Sequence, residues 1–195
     1  LLDNDRRKIE LANSLLFTLP GSPVIYYGDE IGMGDNIWLD DRNGVRTPMQ
    51  WADEANGGFS AAAPELLYSP VISDGDFAYR RVNVQIQMAN PASLLHAVRR
   101  MIHVRKQHPA FGWGSCEFLE HDNRAVLAYL RQHRSERLLI VNNLSAQAQA
   151  VHLHLPQYSG VYATELLSST ALHTPLTETP YRLRLEPYQY LWLSL

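Results

Sequence analysis

After Pro109 the hydrophobic pattern of this chain changes period, and a single layer of one secondary structure does not fit both halves. Ahead of it, Ile9, Ala12, Leu16 and Leu19 recur at helical spacing, with Leu15 widening the stripe. They predict a helix over 5–19, with Asn4 or Asp5 as its cap and Pro20-Gly21 as its stop. Leu94, Leu95, Val98, Met101 and Ile102 predict a second helix over 92–107, capped by Asn90 and with Pro91 near its first turn. Arg99, Arg100, Arg105 and Lys106 read as its solvated face, and Pro109 as its end. Beyond FGWG, residues 111–114, come AVLAYL, RLLIVN, AVHLHL, VYATEL, YRLRL and YQYLWLSL, several of them strictly alternating and all separated by turn-rich stretches. That is the pattern of an antiparallel sheet or sandwich. Two segments follow, 1–110 and 111–195, the first α/β and the second all-β.

The α/β label rests on VIYY, residues 24–27, an apolar run without alternation directly after the first helix. β-branched and aromatic residues in such a run predict a strand buried on both faces, as in a parallel sheet. Residues 28–80 then carry GDEIGMGDN, DDRNGVRTPMQW and EANGGFS without a clear period. A loop of this length in a compact chain is functional or disordered. Trp38, Met49, Trp51, Phe59 and Tyr68 argue against disorder, so it reads as an ordered loop over a site.

Composition excludes several functions. The net charge of −3 gives no footprint for nucleic acid or an anionic membrane, and no apolar run approaches the roughly 20 residues of a membrane span. A single cysteine, Cys116, excludes an internal disulfide and a cysteine metal cluster; with no cationic neighbour in sequence it reads as an inert thiol in a strand. His152 and His154 fall on one face of a strand, but no third ligand is in view, and they read as a solvated sheet face. Tyr188, Tyr190 and Trp192 alternate onto one face and read as core.

Two clusters could carry chemistry. Asp29, Glu30 and Asp35 follow VIYY among Gly28, Gly32 and Gly34, which let the backbone turn. Adjacent acids on a continuing strand point to opposite faces, so Asp29 and Glu30 do not form the facing pair that glycosidic chemistry needs. They read as a frame for the loop, bonding its amides and neighbouring arginines. The second cluster is DDRNGVRTPMQW, residues 40–51. Arg42 and Arg46 each present a fork able to grip a carboxylate or two sugar hydroxyls, Asp40 or Asp41 is placed to orient a fork, and Trp38 and Trp51 could form a platform for a ring. A salt-bridge knot internal to the loop accounts for the same residues, and composition does not choose between the two. No phosphate cradle, His-Glu metal helix or nucleophile elbow is present.

GSPVIYYGDEIGMGDN followed by DDRNGVRTPMQW resembles the last barrel strand and the following loop of the α-amylase superfamily. Within it the likeness is to the trehalose synthase (maltose α-D-glucosyltransferase) family, and it continues through YRRVNVQIQMANPASLLHAVRRMIHVRKQHPAFGWG into VNNLS and PYQYLWLSL. Oligo-1,6-glucosidases and sucrose isomerases share a variant of RTPMQW. The resemblance implies the C-terminal part of a (β/α)8 barrel over 1–110 and a small antiparallel β-sandwich domain over 111–195. It implies a retaining isomerase of maltose and trehalose, with an aspartate nucleophile, a glutamate acid/base and a second aspartate holding sugar hydroxyls. In the family those three belong to strands four, five and seven. The chain opens LLDNDRRKIE without a methionine, and we expect the three to lie upstream of it, so that it holds no catalytic residue and is inactive alone. By the same resemblance Arg42 binds the non-reducing glucose, Asp41 orients it, and Arg46 serves that pocket or the loop. No metal ligand or cofactor is carried over; a calcium site, where relatives have one, lies upstream. The family implies a cytoplasmic enzyme and leaves homo-oligomerisation and a fused or associated maltokinase open. An α-glucosidase or oligo-1,6-glucosidase, and a non-catalytic carbohydrate-binding β-module, are the alternatives.

Overall fold

The computed structural model describes residues 2–168, 170–171, 175–176 and 180–195. The chain forms two compact units, Leu1–Pro23 with Arg100–Leu195, and Val24–Arg99. No helix among the described residues is long and apolar enough to cross a membrane.

The first unit is built on antiparallel strands. β1 (Ser115–Phe118), β2 (Val126–His133), β3 (Glu136–Asn143), β5 (Thr164–Glu165), β6 (Thr170–Ala171) and β8 (Tyr190–Ser194) form one sheet in the order β1-β2-β3-β8-β5-β6. β4 (Gln149–Leu153) and β7 (Tyr181–Leu185) form a second, two-stranded sheet. Val126, Ala128, Leu130, Leu139, Val141 and Leu193 of the large sheet share one core with Val151, Leu153, Leu183 and Leu185 of the small one. The runs do supply strands: β4 and β7 alternate one buried face with one wet face, while β2 and β3 are buried on both. His152 is exposed on the wet face of β4, with its Nδ1 2.8 Å from Asp122 Oδ2, and His154, just beyond the strand, is exposed as well. Trp192 is fully buried, but Tyr188 lies in the turn before β8 rather than on the strand, and Tyr190 is half-buried. Cys116 lies in β1, and burial pushes its thiol up, away from the reactive thiolate.

The large sheet is covered on its other face too. α1 (Arg6–Thr18) begins where Asp5 accepts a hydrogen bond from the Arg7 amide at 3.0 Å, and gives way at Leu19, ahead of Pro20. Its buried residues are Leu11, Ser14, Phe17 and Thr18, not the expected stripe; Leu16 is 40% exposed. The reason is polar. Ser14 Oγ accepts from Trp192 Nε1 at 2.8 Å and donates to Asn142 Oδ1 at 3.2 Å, and Thr18 Oγ1 pairs with the Tyr129 hydroxyl at 2.6 Å. The sheet presents hydrogen-bonding groups there, so small hydroxyl residues are the ones that bury. Burial pushes the Tyr129 phenol up to about 12.

α3 (Leu94–Gln107) matches the second predicted helix, and Leu94, Leu95, Val98 and Met101 are buried as expected, with Ile102 half-buried. Its first turn is capped by Ser93, whose Oγ accepts from the His96 amide at 3.3 Å; Asn90 accepts from Ala92 instead. Arg105 is not a solvated residue: its guanidinium donates to the carbonyls of Phe17 and, at 3.0 Å, Gly21. Pro109 opens a short helix, α4 (Pro109–Trp113), as well as following α3.

In the second unit, residues 24–27 are not a strand. Val24 is 82% exposed, and VIYY belongs to neither sheet. A strand requires ladder partners for its amides and carbonyls. None of the described strands runs beside VIYY, and the Tyr26 amide is used locally, donating to Asp29 Oδ2 at 3.0 Å. A further helix that the sequence reading missed, α2 (Val84–Ala89), is capped by Asn83, which accepts from the Ile86 amide at 2.8 Å.

Candidate functional site

The site residues all lie in the unit Val24–Arg99. Its first element is the acid-rich turn after VIYY. Gly28 takes a φ of 94°, which a glycine adopts without strain, and Asp29–Ile31 then close a single 3-10 turn. Asp29 accepts the Tyr26 amide and Glu30 accepts the Gly28 amide at 2.8 Å. Both acids therefore hold loop amides, from a turn and not from a continuing strand, while among the described residues neither pairs with an arginine as the frame reading also expects. Ile31 is buried and packs with Met49 and Leu95.

Asp41–Arg46 form the second element, a six-residue 3-10 segment. It folds back on the preceding chain through Gly44, whose carbonyl accepts the Asn36 amide at 3.0 Å. A Cβ at Gly44 would stand 2.6 Å from the Asn36 carbonyl oxygen, so only glycine permits this approach. Asp41 has a φ of 53°, an uncommon conformation that aspartate tolerates better than most residues. Asp41, Arg42 and Arg46 are all exposed on this segment. Among the described residues none of Asp40, Asp41, Arg42 and Arg46 makes an ion pair, so the loop-internal salt-bridge knot is not formed, and no bond joins Asp41 to Arg42. Trp38 is 88% and Trp51 50% exposed. The turn thus presents two guanidinium forks, with open indole surfaces before and after it in the chain.

Behind the turn the chain goes inside. Thr47, Pro48, Met49 and Gln50 are buried. The Tyr27 hydroxyl donates to the Thr47 carbonyl at 2.9 Å. Burial and a hydrogen bond with Tyr26 push the Tyr27 phenol up, while the Arg46 guanidinium pulls it the other way. Gln50 Nε2 donates to the carbonyls of Phe77 and Val82, and the Gln50 carbonyl accepts the Val84 amide at 3.0 Å. Gln87 ties the acid turn to α3: its Nε2 donates to the Ile31 carbonyl at 2.6 Å, and its Oε1 accepts the Leu95 amide at 3.0 Å. Sequence reasoning missed both glutamines. The available signal was an amide side chain inside otherwise apolar stretches, PMQW and VQIQMA, where a buried polar group requires a partner. Among the described residues no group of three or more His, Cys, Asp or Glu is gathered to hold a metal ion.

The family described as Alpha amylase, catalytic domain, matches residues 1–114, and that described as Maltogenic Amylase, C-terminal domain, matches residues 116–192. A trehalose synthase of Pimelobacter sp. (strain R48) is 51% identical over the whole chain, which covers 35% of that relative. A trehalose synthase of Thermus thermophilus is 49% identical over the whole chain, which covers 20% of it. The crystal structure of the trehalulose synthase MutB from Pseudomonas mesoacidophila MX-45 is similar with a TM-score of 0.75 and 24% identity, over 99% of this chain and 40% of that one. That likeness concerns the fold. The chain spans about a third or less of the length of these curated relatives.

Proposed function

The chain belongs to the α-amylase family, and from that premise we propose that it is the C-terminal part of an enzyme that interconverts maltose and trehalose by retaining, intramolecular glucosyl transfer. The observation that carries this reading is identity near one half with two trehalose synthases along all 195 residues. In this reading residues 1–110 complete a (β/α)8 barrel and residues 111–195 are its β-domain. The rest of the barrel supplies the nucleophile, the acid/base and the hydroxyl-holding aspartate.

Arg42 contributes binding. Its fork donates two parallel hydrogen bonds to neighbouring hydroxyls of the non-reducing glucose, which fixes the ring while the glycosidic bond is exchanged. Asp41, adjacent and equally exposed, orients the fork once the pocket is closed, and Arg46 supports the same pocket. Asp29 and Glu30 are engaged by loop amides and are not offered as reacting groups. The chain alone is inactive in this reading, because binding without the reacting carboxylates lowers no barrier.

Substrate preference tests the assignment. The whole protein is expected to turn over maltose and trehalose and to leave isomaltose intact. Release of glucose from isomaltose, with maltose a poor substrate, would move the protein to the 1,6-glucosidases.

A further inference from the structure

The unit Leu1–Pro23 with Arg100–Leu195 contains a cleft of about 700 Å³, within the roughly 300–1,000 Å³ of small-molecule sites. Its walls include Arg7 and Glu10 of α1, Arg100 of α3, Glu165 of β5, and Tyr188 and Tyr190 around the start of β8. Two guanidiniums face two carboxylates, so the lining is balanced in charge and selects neither an anion nor a cation. What it offers instead is a dense set of donors and acceptors beside phenol rings.

Most of these polar groups are already fixed. Glu10 accepts from Arg6 at 2.6 Å through one oxygen and from the Tyr190 hydroxyl at 2.7 Å through the other. Glu165 accepts from the Ser168 amide and hydroxyl, both at 2.6 Å. Arg7 is held by Asp5 at 2.7 Å. Arg100 differs: it is exposed and makes no hydrogen bond or ion pair among the described residues. A rigid polar wall with one unengaged fork is arranged to receive a ligand rather than to satisfy itself.

The second observation is backbone strain at Tyr188. Glu186–Pro187–Tyr188–Gln189 is a turn closed by the Gln189 amide on the Glu186 carbonyl at 3.0 Å. Proline in second place and a positive φ in third is the type II pattern, in which the third residue is normally glycine. Here it is a tyrosine with a φ of 60°, an outlier for a bulky side chain. Its amide is pinned to the Ser145 carbonyl at 3.1 Å. The Arg7 guanidinium and the Lys8 ammonium sit 5.5 and 5.6 Å from the ring centroid, which fixes the ring against the cleft. Strain of this kind persists where a side chain is required in place, and ligand clamps are among the sites that hold it.

We propose that this cleft binds a neutral, hydroxyl-rich ligand, a glucosyl di- or oligosaccharide, with Tyr188 as the platform for one sugar ring and Arg100 as the fork for its hydroxyls. The Tyr190 hydroxyl, whose proton is committed to Glu10, accepts from the sugar. The site stands on the cleft, while the choice of a glucosyl sugar rests on the isomerase reading, whose Arg42 belongs to the other compact unit.

Titration calorimetry of the 195-residue chain with maltotriose tests it, combined with backbone hydrogen exchange. Saturable binding is expected, with slowed exchange confined to residues 164–168 and 186–191. Tyr188→Gly, which relieves the positive φ, and Arg100→Ala, which removes an exposed and unbonded side chain, should each keep the melting transition and weaken binding at least tenfold. No heat with maltotriose, or affinity unchanged in both variants, would overturn the proposal. Protection only within residues 36–51 would also overturn it, placing the sugar on the Arg42 loop and leaving the isomerase reading intact.

Discussion

Arg42 and Arg131 are guanidiniums in opposite circumstances, and each supports a prediction. Arg131 is 1% exposed and donates to four carbonyls, those of Thr18, Phe111, Gly114 and Ser115. It joins the end of α1, the end of α4 and the start of β1. Arg131→Met keeps the length of the side chain but strips four acceptors of their donor, at a cost of roughly 3 kcal/mol or more. Urea unfolding should show that loss; a midpoint unchanged from the parent chain would mean the carbonyls find other donors. Arg42 has no such anchorage, so its removal should spare stability. In the whole protein, Arg42→Ala is expected to lower kcat/KM for maltose about 30-fold or more, the equivalent of at least about 2 kcal/mol of binding. Unchanged turnover at low maltose would remove Arg42 from the site. The family resemblance singled out Arg42; the fork beside acids and indoles by itself read equally as a salt-bridge knot. Arg131, inside AVLAYLRQH, offered no such reading, since nothing local says that four carbonyls from distant segments converge on it.

At the scale of elements, α1 and the Asp41–Arg46 turn carry the next tests. A hydrogen bond from Arg7 holds the Asp5 carboxylate at about 2, below its ordinary 3.8. The sign follows from that direction: the depressed group stabilises the folded helix above the ordinary value, and the contribution is lost as pH falls through about 2. Lowering the pH from 4 to 2 should therefore fray residues 6–9, read by their backbone NMR shifts, and Asp5→Asn should flatten the dependence. A helix start equally ordered at both ends of that range would contradict it. Gly44→Ala drives a Cβ to 2.6 Å from the Asn36 carbonyl. It is expected to raise KM for maltose in the whole protein while leaving the melting of the β-rich unit unchanged; an unaltered KM would show that the turn need not hold this shape. β4 and β7 were legible because alternation records one buried face directly; β2 and β3, buried on both faces, were legible as short apolar runs bounded by turns. The face of α1 was not, since Ser14 and Thr18 bury through hydrogen bonds that a hydrophobic pattern ignores. Of the large residues expected to order the long loop only Met49 is buried, while Trp38, Trp51, Phe59 and Tyr68 are exposed; the glutamine struts that do tie the loop were not legible.

The whole molecule adds what no single element shows. Compactness groups α1 with the large β-sheet, to which it is bonded through Ser14, Thr18 and Arg131. VIYY read as a buried strand from composition alone, yet it is exposed here, since a strand is a property of its neighbours as much as of its residues. The same dependence underlies the proposed division of labour, in which this chain supplies binding groups and the remainder of a longer enzyme supplies the chemistry. The direct test is proton NMR of maltose incubated with this chain and, in parallel, with the whole protein. Trehalose is expected from the whole protein, and no change with the chain alone. Trehalose from the chain alone, or glucose without trehalose from the whole protein, would contradict it.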